Sequence, residues 1–309
     1  MSPQDGAREF LSFHRDELAA QALAGQGARG APIRPFMPDQ HRDFFAGLPY
    51  LFVAAPDAEG WPVASVLWGQ AGFVQSPDPA TLRITSTPGG GDPATSGLAT
   101  GCDVGLLGLD LTTRRRNRAN GQLTEVDNDG LTVRVIQCFG NCAQYIQTRR
   151  PTAVARPPAP IEAFDEMDDA ARALIAAADT FFVASRSRPE VGSGGGLDMS
   201  HRGGRPGFVG VHGNTLAIPD FRGNRFFNTL GNLLGEPRTG LLFVDFASGD
   251  LLQVQGRAEI DWTPRGMGPD GAERLWRVKV ERAWRRPGAF PFAWAFGDYA
   301  ATTLKTGVW

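Results

Sequence analysis

The 309-residue sequence repeats one series of short motifs in its two halves. Gly72-Phe-Val74 matches Gly207-Phe-Val209, and Gly105-Leu-Leu107 matches Gly240-Leu-Leu242, with the same spacing between the two members of each pair. Six such matches occur in one order at almost constant spacing, which is the signature of an internal repeat. We therefore predict that the chain is a tandem duplication with one structural unit in each half.

Each copy has the pattern of a β protein. Residues 51–55 and 181–185 are short apolar runs, rich in aromatic residues and bounded by turn residues. The segment His212-Gly-Asn214 predicts the turn of a hairpin. Residues 240–246 form the continuous apolar run of a buried strand, whereas residues 251–260 alternate like a half-exposed one. This pattern predicts a mostly β fold of two tandem β-barrels with flanking helices.

Two stretches show the spacing of an amphipathic helix. The first stripe comprises Ile161, Phe164, Met167, Ala171, Leu174, Ile175 and Ala178. The second stripe comprises Phe226, Phe227, Leu230, Leu233 and Leu234. Gly235 and Pro237 follow the second stripe and predict the end of that helix, whose start we expect near Asn224.

The sequence divides into three segments. We predict an N-terminal arm at residues 1–35, a first and diverged barrel domain at residues 36–150, and a second barrel domain at residues 151–309. The stretch 148–160 is rich in proline and arginine and is the predicted linker. The glycines of residues 192–196 predict a flexible loop tip.

The composition excludes several classes of protein. With 42% hydrophobic and 21% charged residues, the chain is neither disordered nor collagen-like. No apolar run reaches the roughly 18–20 residues of a membrane helix, and the N-terminal region lacks an apolar core, so we expect no membrane span and no secretory signal. A formal net charge of −2 argues against nucleic acid as a partner. Three cysteines cannot build a disulfide framework and favour a cytoplasmic location.

The most informative stretch runs from Ile218 to Asn228 and reads Ile-Pro-Asp-Phe-Arg-Gly-Asn-Arg-Phe-Phe-Asn. A strand is predicted to end at Ile218, and the N-terminus of the helix that follows would offer unpaired N–H groups to a phosphate. Arg222 and Arg225 bracket that point, and guanidinium groups match phosphate oxygens with paired hydrogen bonds. On the residues alone, a capped surface helix with two solvated arginines is an equally good interpretation.

The first copy lacks these cations. In the aligned first copy, Pro88 stands where the second copy has Arg222, and Gly91 stands where it has Arg225. This asymmetry predicts one phosphate site in each chain rather than two.

A second cluster, Ser200-His-Arg-Gly-Gly-Arg-Pro-Gly-Phe208, leads into the predicted hairpin. Arg202 and Arg205 lie beside glycines, which would let a ligand approach the backbone closely. An ordinary Gly/Pro loop explains the cluster equally well.

The ordered set of motifs resembles a known family. An Arg/Gly loop, a Gly-Phe-Val strand, the stretch Ile-Pro-Asp-x-x-Gly-Asn-Arg, a helix, Glu-Pro, and the strands Gly-Leu-Leu-Phe and Val-x-Gly-x-Ala follow one another. The set is similar to the FMN-binding split β-barrels of the pyridoxamine 5′-phosphate oxidase-like superfamily, and within it to the predicted flavin-nucleotide-binding proteins. The resemblance covers about residues 170–300. Residues 38–150 resemble a diverged member through Gly105-Leu-Leu-Gly-Leu-Asp110 and Phe139-Gly-Asn-Cys-Ala-Gln-Tyr145.

The resemblance implies two tandem split β-barrels with FMN at the seam between barrels, usually in a homodimer, although the two barrels of one chain could supply that seam themselves. It implies a flavoprotein that acts as an FMN-dependent oxidoreductase on a small molecule, with NAD(P)H as one candidate electron donor. It assigns ten cofactor-binding residues, with the phosphate near Asn224 and Arg225: Ser200, Arg202, Gly203, Ile218, Pro219, Asp220, Arg222, Asn224, Arg225 and Asn228. The Arg-Lys pair that precedes the helix in authentic pyridoxamine phosphate oxidases is absent, which argues against the vitamin as substrate.

Other functions remain open on the sequence. A non-catalytic module that binds or senses flavin, haem or deazaflavin is the alternative, and a barrel kept only as an interaction domain is a third. No side chain is expected to be an obligatory acid or base, and no metal site is expected. Trp68 or Trp284 could cover a flavin ring, although core packing is the expected role of either.

Several further motifs point away from other functions. Gly25-Gln-Gly-Ala-Arg-Gly30 has the spacing of a dinucleotide fingerprint, but it neither follows a strand nor precedes a helix. Cys138 and Cys142 have no nearby histidine pair and are expected to be buried or free thiols. The basic run at residues 114–118 is expected on a solvated face, with a phosphate-binding or interface role as the alternative. His201 is expected to be a polar loop residue.

Overall fold

The computed structural model describes residues 11–28, 32–157, 159–192 and 194–309. Residues 1–10 and 29–31 of the predicted arm, residue 158 of the predicted linker and residue 193 of the predicted loop tip lie outside the described residues. The last part of the motif at residues 25–30 lies outside them as well. None of the helices in the described ranges has the length and hydrophobicity needed to cross a membrane.

The first half of the chain forms one antiparallel sheet of seven strands. Two helices precede it, α1 (Arg15–Leu23) and α2 (Asp39–Ala46). The strands are β1 (Tyr50–Pro56), β2 (Pro62–Trp68), β3 (Val74–Asp78), β4 (Thr81–Ile84), β5 (Asp103–Asp110), β6 (Arg115–Asp127) and β7 (Gly130–Gly140). A short 3₁₀ helix, Pro93–Gly97, lies between β4 and β5. The strand order is β2-β1-β5-β6-β7-β4-β3.

The second half forms a sheet with the corresponding order. It is preceded by β8 (Arg149–Ala153), β9 (Glu162–Phe164) and α3 (Asp169–Ala177). Its strands and its helix are β10 (Thr180–Arg186), β11 (Leu197–Gly203), β12 (Gly210–His212), β13 (Thr215–Phe221), α4 (Asn228–Gly235), β14 (Arg238–Val244), β15 (Leu251–Asp261) and β16 (Ala272–Arg286). The order is β11-β10-β14-β15-β16-β13-β12, with β9 added beside β16. A last strand, β17 (Phe292–Phe296), pairs with β8, and 3₁₀ turns occur at Pro189–Val191 and Thr303–Lys305.

The two sheets agree in detail as well as in order. Each carries a β-bulge at a glycine, Gly121 in β6 and Gly256 in β15. A Cβ atom at Gly256 would lie 2.3 Å from the carbonyl oxygen of Lys279, so no larger residue fits at this bulge without moving the neighbouring strand. The structure thus gives both halves one strand plan, and their origin by duplication stays a prediction.

Each sheet curls around its own apolar core. Phe45, Leu106 and Val133 belong to the core of the first barrel, which draws side chains from all seven strands. Phe181 and Trp276 belong to the corresponding core of the second barrel. In both sheets the two end strands do not pair with each other among the described residues, so each barrel is open on one side. The predicted fold class is confirmed: the chain is mostly β and forms two tandem split β-barrels.

A third apolar cluster joins the barrels, and we call this contact between them the seam. Strands β1, β2, β5 and β6 of the first barrel face β10, β11, β14 and β15 of the second. At its centre Phe52 stacks on Phe182 with ring centroids 3.6 Å apart. Because β1 and β10 are counterparts, the two barrels meet through equivalent faces.

Two local predictions were wrong in their bounds. The first apolar stripe does not form one helix, because the chain around Phe164 forms β9. Helix α3 begins at Asp169, and the side chain of Asp168 caps it by accepting a 2.8 Å hydrogen bond from the N–H of Ala171. The second helix begins at Asn228 rather than near Asn224. The predicted linker contains a strand, β8.

Helix α1 packs on α4 through polar side chains. Nε2 of His14 and Oδ1 of Asn232 are 2.8 Å apart, and Asn228 donates a hydrogen bond to the carboxyl group of Glu17. His14 and Glu17 are both buried. The approach is close, because a Cβ atom at Gly231 would lie 2.6 Å from Cα of Glu17.

Candidate functional site

A cavity opens in the seam where both barrels contribute side chains, and we call it the seam cavity. The first barrel supplies Arg116 and Arg118 of β6, and the segment after β7 supplies Asn141, Gln144 and Tyr145. The second barrel supplies parts of β11 and β13, the loop from Gly223, the start of α4, and Arg274 of β16. About 850 Å³ of space lies between these atoms, part of it open to solvent.

Eight of the ten residues predicted from the sequence line the seam cavity. They are Ser200, Arg202, Gly203, Pro219, Asp220, Asn224, Arg225 and Asn228. Ile218 instead belongs to the apolar core of the second barrel, as does Trp276, its partner in β16. Arg222 is exposed and outside the lining, and only its backbone carbonyl is engaged, accepting a 3.0 Å hydrogen bond from the hydroxyl of Tyr145.

The loop between β13 and α4 brings backbone N–H groups to the cavity. Arg225 and Phe227 both have left-handed backbone conformations, with φ of 63° and 59°. Phe227 is the N-cap of α4, and no side chain caps the helix there. The first-turn N–H groups of α4, on residues that line the cavity, therefore have no intrahelical acceptor and favour an anion.

The sequence analysis missed the two cations of the first barrel. Arg116 and Arg118 belong to the run at residues 114–118, which was expected on a solvated face. The structure corrects this, because both side chains line the cavity and Arg118 is only 8% exposed. Their spacing of two residues on a strand places them on the same face of the sheet, and this signal was present in the sequence.

Arg118 connects the two barrels. Its Nη1 donates 3.4 Å hydrogen bonds to Asp198 and Asn228, and its Nη2 donates to the hydroxyl oxygen of Ser200. Its Nε has no partner among the described residues. Burial lowers the pKa of Arg118, and the negative charge of Asp198 opposes that shift.

The carboxylates of the site balance only some of its guanidinium groups. Asp220 accepts 2.8 Å hydrogen bonds from both Arg202 and Arg274. In contrast, Arg116 and Arg225 form no ion pair with any carboxylate of the described residues. Burial, and then the charge of Arg118, lower the pKa of Arg116 to about 9, so it stays protonated at neutral pH. A positive charge held at such a cost favours an anionic ligand.

His201 is a buried member of the site rather than a loop residue. It lies in β11, and burial, followed by the charges of Arg116 and Arg202, lowers its pKa well below the usual value. The imidazole is therefore neutral. Because a guanidinium group can only donate, Nδ1 of His201 accepts from Arg116, and Nε2 carries the hydrogen.

Aromatic side chains complete the lining. They are Tyr145, Phe208, Phe221 and Phe227, and the rings of Tyr145 and Phe221 stack with centroids 5.6 Å apart. Trp68 and Trp284 lie outside the lining, and Trp68 packs against the apolar cluster of the seam. The cavity thus combines an excess of positive charge with aromatic surface, which suits a ligand with an anionic group and a planar ring.

The cysteines lie apart from this chemistry. Cys138 is buried, Cys142 is exposed and Cys102 is intermediate, and all three thiols are free. Burial raises the pKa of Cys138 to about 12. No group of three or more metal-ligating side chains occurs in the part of the chain that the structure describes.

No family model matches the chain, and no curated protein matches it. Among solved structures, a HupZ variant from Group A Streptococcus is similar at 15% identity over 38% of this chain and 98% of its own, with a TM-score of 0.30. The conserved hypothetical protein Rv2991 from Mycobacterium tuberculosis is similar at 16% identity over 40% of this chain and 87% of its own, with a TM-score of 0.28.

A third structure, a putative 5-nitroimidazole antibiotic resistance protein from Bacteroides thetaiotaomicron, is similar at 12% identity over 46% of this chain and 95% of its own, with a TM-score of 0.25. Each of these structures matches less than half of the chain. The fold assignment therefore rests on the two sheets and their cores.

Proposed function

We propose that the chain is an FMN-binding flavoprotein that holds its cofactor in the seam cavity. The observation that carries the proposal is that two arginines, Arg116 and Arg225, line the cavity and form no ion pair with a carboxylate of the described residues. A phosphate monoester carries a charge between about −1.5 and −2 at neutral pH, which matches two unbalanced cations. The sequence resemblance to FMN-binding split β-barrels supports the same cofactor.

The lining residues fit the two parts of FMN. Arg225, Arg116, Arg118 and the N-terminus of α4 would hold the phosphate, because each offers N–H donors. Aromatic side chains such as Tyr145 would contact the planar ring. When bound, FMN would supply hydride or electron transfer.

The protein's own part in this function is to bind and orient. His201 is neutral, and its Nε2 has no partner among the described residues, so it would donate a hydrogen bond to the ligand rather than supply a proton. Arg202 and Arg274 share Asp220, and Arg274 also pairs with Glu273, so these two guanidinium and two carboxylate groups balance one another and would fix the cavity wall beside the ligand. We infer an oxidoreductase in which a reduced nicotinamide or an organic substrate reduces the cofactor.

The arrangement also bears on assembly. Both barrels of one chain supply lining residues, so one chain by itself provides the kind of seam that the resemblance places between two barrels. A homodimer, which the resemblance implies, would be an additional association. Gel filtration of FMN-loaded protein gives an apparent mass. Comparing that mass with the mass of one chain tests whether the loaded protein is a monomer or a homodimer.

A titration with FMN and with riboflavin tests the proposed function. Riboflavin has the same ring without the phosphate, so we expect FMN to bind at least about tenfold more tightly, as charge-assisted hydrogen bonds provide. Anaerobic addition of NADH or NADPH to the loaded protein then separates an oxidoreductase from a binding module, because rapid bleaching of the flavin requires productive access to the ring. Absence of binding by either flavin would contradict the proposal.

A further inference from the structure

The strand registers give each residue of one barrel a counterpart in the other. The pairings of β1 with β5 and β5 with β6 repeat as those of β10 with β14 and β14 with β15. Together with the registers of β2 and β7, they assign four pairs of corresponding residues. With the first-barrel residue named first, the pairs are Ser65 and Ser200, Arg118 and Gln253, Asn141 and Arg286, and Asn120 and Gln255. The seam therefore has two equivalent positions, and the seam cavity is only one of them.

At the second position a carboxylate of the chain itself takes the hydrogen bonds. Asp92 accepts from Ser65, from Arg286 at 2.5 Å and from Gln253 at 3.1 Å. Its side chain is fully buried, and it also caps the 3₁₀ helix Pro93–Gly97 through the N–H of Ala94 at 2.9 Å. One carboxylate thus accepts hydrogen bonds from a serine hydroxyl, a guanidinium group, a side-chain amide and the N-terminus of a helix.

The seam cavity has the corresponding donors, but no carboxylate in the part of the chain that the structure describes takes the position of Asp92 there. The 3₁₀ helix that Asp92 caps corresponds in sequence order to α4, whose N-cap is Phe227 and which has no side-chain cap. The hydroxyl oxygen of Ser200 accepts from Arg118 and from Thr229 at 2.8 Å, so its own hydrogen is left for an acceptor.

Asp198 and Glu17 are the acidic side chains near Arg118 among the described residues, and both lie elsewhere. Glu17 accepts hydrogen bonds from Asn228 and from the N–H of His14. Asp198 belongs to β11, where its counterpart is Val63, and it already accepts hydrogen bonds from Asn120 at 2.6 Å and Asn232 at 2.8 Å. It therefore does not occupy the position that Asp92 takes in the other half.

We propose that the seam contains two equivalent anion sites and that Asp92 is an internal ligand which permanently fills one of them. The other site, formed by Arg118, Ser200 and the start of α4, is left for the anionic group of a bound molecule. Each chain would therefore bind one ligand. The phosphate or carboxylate of that ligand would lie in the open site at the position that corresponds to the Asp92 carboxylate in the filled site. The assignment of that ligand as FMN rests on the proposed function, whereas the role of Asp92 does not.

Chemical rescue tests the filled site without any flavin. In Asp92→Ala the donors of Ser65, Gln253 and Arg286 lose their acceptor, and a small carboxylate can take its place. We expect formate to raise the melting temperature of this variant by about 2–4 °C more than chloride does at equal ionic strength. Wild type and Asp92→Asn, whose side chains fill the space, should show no such difference. Equal effects of formate on all three proteins would overturn the proposal.

A matched pair of serine variants tests the open site. This test can be made even if Asp92→Ala does not fold. We expect Ser200→Ala to weaken FMN binding by about tenfold while leaving riboflavin binding almost unchanged. Ser65→Ala should change neither affinity, because Ser65 serves the filled site. An equal loss for FMN and riboflavin in Ser200→Ala would overturn the assignment of the anion. If no flavin binds to any variant, the proposed function fails, and the formate experiment still decides the role of Asp92.

Discussion

Arg116 of the first barrel donates a 3.2 Å hydrogen bond to Nδ1 of His201 in the second barrel. The contact places an unbalanced guanidinium group against a neutral imidazole within the seam. A charge in such a place costs stability unless a ligand balances it.

Replacing Arg116 should have opposite effects on stability and on binding. In Arg116→Gln the unbalanced charge is gone, so we expect unfolding in urea without flavin to require about 1 kcal/mol more free energy. The same variant should bind FMN at least about tenfold more weakly. Arg118→Gln is the control, because it removes the partner of buried Asp198 and should destabilise the protein. A loss of stability in flavin-free Arg116→Gln would contradict the argument.

Two neighbouring arginines of the site loop should differ sharply. Arg225 lines the seam cavity, whereas the side chain of Arg222 is exposed and outside it. We expect Arg225→Ala to weaken FMN binding by more than about 1 kcal/mol, as loss of a charge-assisted hydrogen bond does. Arg222→Ala should leave the affinity unchanged within error. Isothermal titration with FMN measures both, and equal affinities for Arg225→Ala and wild type would remove this residue from the phosphate site.

Two glycines of the cavity lining offer a steric test. A Cβ atom at Gly203 would lie 2.0 Å from the backbone carbonyl oxygen of Tyr145, whereas a Cβ atom at Gly223 would meet nothing within 4 Å. Gly203→Ala must therefore push the segment after β7 away from β11, and we expect it to cost about 1–3 kcal/mol of stability and to weaken FMN binding. Gly223→Ala should alter neither. Thermal unfolding and an FMN titration on both variants make the comparison.

The stability of the chain should depend on the ionisation of Glu17. Burial, and then the negative charge of Asp198, raise the pKa of Glu17 to about 8, against 4.5 in the unfolded chain. Between these values the folded chain keeps a proton that the unfolded chain loses, so stability falls as the pH rises through this window. The contribution is fully present below about pH 4.5 and is lost as the pH passes about 8.

Glu17→Gln isolates this effect, because the amide is neutral at every pH. We expect wild type to lose roughly 2–4 kcal/mol relative to the variant between pH 5 and pH 8.5. His14 and His201 act in the opposite direction, since their lowered pKa values remove stability as the pH falls below about 6.5. Taking the difference between wild type and Glu17→Gln in urea at each pH cancels both histidines. A difference that does not change with pH would contradict the burial of a neutral Glu17.

The sequence predicted the second barrel's share of the site because that share is local. Ser200 to Gly203 and Pro219 to Asn228 are continuous segments with glycine, proline and arginine in a distinctive order. The local pattern does not show that Ile218 lies in the core of the second barrel while Pro219 lines the cavity.

The first barrel's share could be predicted only in part, because the spacing of Arg116 and Arg118 places them on one face of a strand but does not show that this face meets the second barrel. Arg118 meets Ser200 only because β6 and β11 cross the seam, and this contact joins residues far apart in the chain. The role of Asp92 could not be predicted from local pattern either, because its partners Gln253 and Arg286 lie in the other half of the chain. The packing of α1 on α4 could not be predicted either, because this contact buries polar residues such as His14 and Glu17 rather than an apolar stripe.

The visible absorption spectrum of the purified protein after incubation with FMN and removal of the excess tests the central claim most directly. We predict a flavin spectrum, release of FMN on denaturation, and a ratio of one FMN to one chain. A colourless protein that also fails to retain added FMN would contradict the account of the seam cavity as a cofactor site.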